Sequence, residues 1–169
     1  MTEWTFRNVT RRGRPIDVRS ADHAVELLME HSGWTEYGII LEFVHSERGM
    51  ITCIASTEFS TLEFNPNFTA SKPSRSGSRS GTRVKPVSEE PFVFDDGTCA
   101  SSIPIRYVLP IIKVTRAVRH IVEHGDFPGG IRWTDPVPEQ ESAANESLHP
   151  TPAESLWFAH HKVKKGRRR

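Results

Sequence analysis

The residues best spaced for chemistry are His120-Ile121-Val122-Glu123-His124, the H-x-x-E-H arrangement of inverted zincins. Two imidazoles one helical turn apart can share a metal ion, with Glu123 as the base. That chemistry also needs a third ligand and a cleft. The acids that follow lie in a segment without periodicity. A histidine near a helix C-terminus is favoured by the helix dipole alone. Both histidines flank the apolar stripe of their helix, so solvated flank residues are the expectation. Asp95-Asp96-Gly97 has the composition of a plain turn rather than a cation loop. Cys53 and Cys99 have no histidine that the sequence positions beside them, and they are expected to be reduced and semi-buried. The chain has no G-x-S-x-G elbow and no Gly-rich phosphate loop after a strand. The expectation is therefore no enzyme, no catalytic residues, no metal and no cofactor.

The elements that would position these groups follow from periodicity. Ser20 is an N-cap candidate for a helix to His31, with Gly33 as its stop. Ala21, Ala24, Val25, Leu28 and Met29 fall on one apolar face. Tyr37–Val44 and Met50–Ala55 flank the turn Ser46-Glu47-Arg48-Gly49, which predicts a β-hairpin. A third strand is expected over Ser60–Phe64, with Glu63 on its wet side. Phe92-Val93-Phe94 has strand character, Ile103-Pro104-Ile105 is extended, and Ile131-Arg132-Trp133 closes as a short strand. Pro110 opens a second helix that Gly125 ends. Its buried stripe is Val114, Ala117, Val118, Ile121 and Val122. Trp133 is expected in the core, against this helix.

Composition sets the boundaries. The chain has 169 residues, 36% of them hydrophobic, which is lean for a domain that packs throughout. Residues 1–15 are polar and Arg-rich, and are expected as a polar segment or edge strand. Residues 16–135 form the expected domain, with a flexible Arg/Ser-rich loop at 67–90. Residues 136–169 have the composition of a disordered tail, first acidic and then basic. With no apolar run of membrane-spanning length and no apolar leader, a cytoplasmic location without membrane contact is expected.

The charges divide in the same way. Of 22 Lys and Arg, six lie in the last eight residues, from Lys162 to Arg169, and five lie between Lys72 and Lys85. Setting both stretches aside leaves 11 bases against 21 acids. Five of those acids lie beyond Trp133, so the presumed body carries 11 bases and 16 acids. An acidic body repels nucleic acid and attracts a basic partner. The basic tail could still make weak contact with nucleic acid, with Trp157 and Phe158 stacking on bases.

One stretch is informative as a whole: Pro110-x3-Val114-x2-Ala117-Val118-x2-Ile121-Val122-x2-Gly125-x2-Pro128-x2-Ile131-x-Trp133. It resembles the C-terminal signature of the Imm1 family of bacterial immunity proteins. The upstream helix, hairpin and aromatic strand follow a similar layout over about Ile16 to Asp135. The resemblance implies an α+β fold, an antiparallel sheet packed with two main helices. It also implies a non-enzymatic antidote that binds a cognate toxin domain of deaminase or nuclease type, one to one. Carboxylates around aromatic anchors would meet the toxin's basic groove. The local cluster Glu89, Glu90, Asp95 and Asp96 is the first candidate for that contact, and Glu36 and Glu63 the second. Gly125, Pro128 and Trp133 match the family motif and are read as structural. The alternative function is a nucleic-acid-associated accessory protein acting through the basic loop and tail.

Overall fold

The computed structural model describes residues 3–32, 38–69, 77–82, 92–95 and 100–136. Among them, eleven strands form one sheet and two helices pack on it. The elements are β1 (Trp4–Asn8), β2 (Ile16–Asp17), α1 (Ala21–His31), β3 (Gly38–His45), β4 (Gly49–Ala55) and β5 (Phe59–Ser60). Next come β6 (Glu63–Asn65), β7 (Arg79–Thr82), β8 (Phe92–Asp95) and β9 (Ala100–Ile103). A 3-10 turn at Ile105–Tyr107, β10 (Leu109–Pro110), α2 (Ile111–His124) and β11 (Arg132–Thr134) complete the order. The main path across the sheet is β11-β7-β6-β4-β3-β1-β2. All pairings are antiparallel except β3 with β8, where Gly38 faces Phe94 and Ile39 faces Asp95. The fold is α+β.

The centre is the β3–β4 hairpin, in register from Ile39 opposite Ala55 to His45 opposite Gly49. Its strands are long and β-branched, and alternate residues bury on the helix side. The turn brings the chain back tightly. Gly49 has φ +102°, and a Cβ there would lie 2.0 Å from the Asn65 carbonyl oxygen. Only glycine meets both demands.

The core is built in a cross-strand row. Ile16 faces Phe6, Phe6 faces Phe43, Phe43 faces Ile51, and Ile51 faces Phe64. All but Ile16 are essentially inaccessible to solvent. Phe6 and Phe43 lie 5.1 Å apart in a tilted pair. Such cross-strand pairs stabilise sheets beyond plain area burial. Over this row lie Ala21, Ala24, Leu27 and Leu28 of α1, and Val114, Ala117, Val118, Ile121 and Val122 of α2. In α1 the apolar face is rotated from the one periodicity suggests. Leu27 is buried, while Met29 is 44% exposed. Ser20 caps α1 through the His23 amide, as expected. Ser32 closes its far end, its hydroxyl donating to the Met29 carbonyl. Gly33 lies outside the described residues.

Two boundaries differ from the sequence-based expectation. Residues 4–8 are neither a polar segment nor an edge strand. β1 lies between β2 and β3, and Trp4 and Phe6 are each 1% exposed. Two large aromatics at alternate positions outweigh the polar residues between them once a sheet face is available to bury them. Within 67–90, Arg79–Thr82 is a sheet strand, β7, between β6 and β11. Its Ser80, Gly81 and Thr82 are buried. Small residues suit this site. A Cβ on Gly81 would sit 3.0 Å from both Ile131 and Leu109 side-chain atoms. The rest of that loop, other than residues 67–69, 77 and 78, lies outside the described residues, as does the tail from 137. No helix of the described residues is long and apolar enough to cross a membrane.

Candidate functional site

The H-x-x-E-H residues sit at the end of α2 but do not converge. The His120 and His124 rings stack at 4.5 Å with 16° between planes, half-exposed or exposed. His120 Nε2 bonds the Asp126 carboxylate at 2.6 Å, and the His124 Nδ1–H donates to the His120 carbonyl at 3.0 Å. Rings held face to face by separate oxygen partners do not aim their lone pairs at one point. Among the described residues no group of three or more His, Cys, Asp or Glu could hold a metal ion. Cys53 is fully buried rather than semi-buried, and burial pushes its thiol up to about 12.

The motif residues form one turn. Gly125 caps α2 in the left-handed region, φ +76°, its amide donating to the Ile121 carbonyl at 2.7 Å. The indole N–H of Trp133 donates to the Pro128 carbonyl at 3.2 Å. Phe127 lies edge-on to Trp133 at 4.9 Å and to Phe64 at 5.0 Å. Trp133 is half-buried at the margin of the core rather than inside it.

The suggested partner-binding carboxylates are not brought together. Glu63 is half-buried in β6, where the Ser78 hydroxyl donates to it. Asp95 is exposed at the end of β8, opposite Ile39. Ile39 points to the helix side of the sheet, whereas Glu63 shares a row with Thr52 and Glu42 on the other side. The two acids therefore lie on opposite faces. Glu36, Glu89, Glu90 and Asp96 lie outside the described residues. Of the basic loop, Arg79 is exposed in β7 and the other bases also lie outside the described residues.

The register instead assembles a different surface, on the side of the sheet away from the helices. A polar row runs Arg7, Glu42, Thr52, Glu63. Neighbours in it are strand-spaced, roughly 4.8 Å apart. An apolar row lies on each side, Ile40 opposite Ile54 and Val44 opposite Met50. All these residues are half-buried except Arg7, which is exposed. Phe92 adds to the first row, since a Cβ on Gly38 would meet both the Phe92 ring and Ile54 within 3 Å.

Glu42 is the informative member. Burial holds its carboxyl above the usual range, and the Arg7 guanidinium across the strand only partly offsets this. Folding alone gains little from a desolvated carboxylate on a sheet face. Sequence reasoning passed over Glu42. Its signal is that it is the one charged residue in the apolar run Gly38–Val44.

No protein-family model matches the chain, and no curated protein matches it.

Proposed function

We propose that this chain is an immunity protein that neutralises a bacterial toxin domain of deaminase or nuclease type by binding it directly, one to one. The observation that supports this reading is the sheet face away from the helices, two half-buried apolar rows around Glu42 and Glu63. Apolar contacts ringing half-desolvated carboxylates are what a basic protein groove would meet, and opposite charge would speed encounter. The layout of α2, Gly125, Pro128 and Trp133 supports the family resemblance from the sequence side.

The test starts with nuclease-treated purification of the tagged chain from its native cells. The expected result is one dominant partner that carries a toxin-type catalytic domain and loses activity in the complex. Thr52→Lys, at the centre of this face, is expected to weaken that complex by at least about tenfold, roughly one hot-spot side chain's worth. Arg116→Glu, on the exposed side of α2, serves as the control and is expected to leave it unchanged. Recovering no partner other than ones that vanish with nuclease or moderate salt overturns the proposal. Unchanged binding by Thr52→Lys removes this face from it.

A further inference from the structure

The β1–β2 connection, Val9 to Pro15, carries three arginines, and the toxin-binding reading does not use them. Arg11, Arg12 and Arg14 are all exposed. None of the three guanidinium groups pairs with a carboxylate among the described residues. The backbone beneath them is fixed. The Arg11 amide donates to Asn8 Oδ1 at 3.0 Å, the Arg12 amide to the Val9 carbonyl at 3.1 Å, and the Gly13 amide to the Asn8 carbonyl at 3.0 Å. Asn8 itself is 3% exposed. At its start, the Thr10 hydroxyl donates to the Asp95 carbonyl at 2.8 Å and accepts from the Ile40 amide at 2.9 Å. The turn is thus tied to β1, β3 and β8 without using any arginine side chain.

Arg12 has φ +50° and is the only non-glycine residue with positive φ among the described residues. Glycine or asparagine would hold that conformation with less strain. Strained positions that a neighbouring glycine could have occupied point to a role for the side chain that is there. Here the side chain is a guanidinium, the group best suited to phosphate oxygens.

We infer that this turn, through Arg11, Arg12 and Arg14, is a binding site for the phosphodiester backbone of nucleic acid. The neighbouring side chains separate this class of ligand from an acidic protein. Between Thr10 and Pro15 there is no apolar or aromatic anchor of the kind protein interfaces centre on. Backbone contact to phosphates needs none, because counterion release supplies the affinity. Among the described residues, Asp17 in β2 is an exposed acid that follows the turn along the chain.

The experiment is fluorescence anisotropy of the full chain with a labelled DNA duplex, titrated at several salt concentrations. Arg11→Gln/Arg12→Gln/Arg14→Gln is compared with the parent, leaving the basic residues Lys162–Arg169 in place in both. The parent is expected to bind with a steep salt slope. The triple variant is expected to lose about 2.7 of that slope, three phosphates at about 0.9 each. Its affinity at low salt is expected to fall on the order of tenfold or more. Its urea midpoint is expected to match the parent's, since the turn's hydrogen bonds are backbone and Asn8 bonds. An unchanged slope and affinity overturns the proposal, and so does a parent that does not bind. Polyglutamate of equal charge displacing the duplex as well as unlabelled duplex does would overturn it in favour of an acidic protein partner.

Discussion

At the scale of single residues, His45 and Glu42 are held away from their ordinary behaviour, with shifts of opposite sign. His45 ends β3, and its Nδ1 accepts the Glu47 and Arg48 amides at 3.0 and 3.1 Å. Its ring meets Trp4 edge-on at 5.1 Å. Burial first, then the Arg48 guanidinium, lowers its pKa below 6.5, while Glu3 and Glu47 oppose this. The native state therefore binds fewer protons than the unfolded chain just below pH 6.5. The stability His45 contributes is present above that pH and lost as pH falls through its lowered value. The parent is expected to lose more of its urea midpoint between pH 7 and pH 5 than His45→Asn, whose side-chain oxygen can still accept from the turn. Equal losses would place the acid sensitivity elsewhere.

Glu42 is the reverse case. A raised carboxyl pKa contributes stability below 4.5 and loses it as pH rises through the raised value. At neutral pH the ionised group is a cost. Glu42→Gln is expected to raise the urea midpoint at pH 7, with the gain closing towards pH 4.5, and to weaken toxin binding. A gain in stability with unchanged binding would make Glu42 a bystander. The chain sequence marks Glu42 only as an acid in an apolar run. Which face it occupies, and that Arg7 lies across from it, depends on pairing between residues 35 positions apart.

At the scale of elements, what was legible is local. The caps at Ser20 and Gly125, the stripe of α2 and the β3–β4 hairpin each depend on residues within a few positions of one another. What was not legible is held by distant partners. β1 looks polar because Trp4 and Phe6 are its only large apolar residues. β7 looks like a linker because serine and glycine are small enough for a crowded site. Thr10 shows the same dependence. Where β1 leaves β3, its hydroxyl bridges the Ile40 amide and the Asp95 carbonyl, so the sheet continues into β8. Thr10→Val keeps the shape and removes both bonds. It is expected to cost about 1–3 kcal/mol by thermal or urea unfolding, through partners left unpaired. Hydrogen exchange at Ile40 is expected to speed up more than at Phe43. Uniform loss of protection would show that Thr10 does not act at the β3–β8 junction.

At the scale of the whole molecule, stability is concentrated in the aromatic row, and charge is distributed by element. Phe43 lies at the middle of the row, 0% exposed, between Phe6 and Ile51. Phe43→Ala is expected to cost about 3–5 kcal/mol. Against a typical total of about 5–15 kcal/mol that is a large share, and the thermal midpoint is expected to fall by roughly 10 °C or more, as circular dichroism would show. A loss under about 1 kcal/mol would mean that the row is not the core's centre. The acidic body expected from composition is not uniform. Asp22, Glu26 and Glu30 are exposed on α1, and Lys113, Arg116 and Arg119 on the neighbouring α2. Only Arg119 and Asp22 among them form an ion pair, at 2.5 Å. Net charge is a sum over the chain, and it does not record where the fold puts each sign.

The amino-acid order alone marks the two helices, the caps at Ser20 and Gly125, and the central hairpin. Each follows from periodicity or from contacts within one turn of chain. Tertiary pairing sets that residues 4–8 lie inside the sheet and not at its edge, that residues 79–82 are a strand, that the order is β11-β7-β6-β4-β3-β1-β2, and that Asp95 and Glu63 face opposite ways. The physical reason is the period of two in a β-strand. A side chain's face is set by the strand it pairs with, and that partner can lie anywhere along the chain.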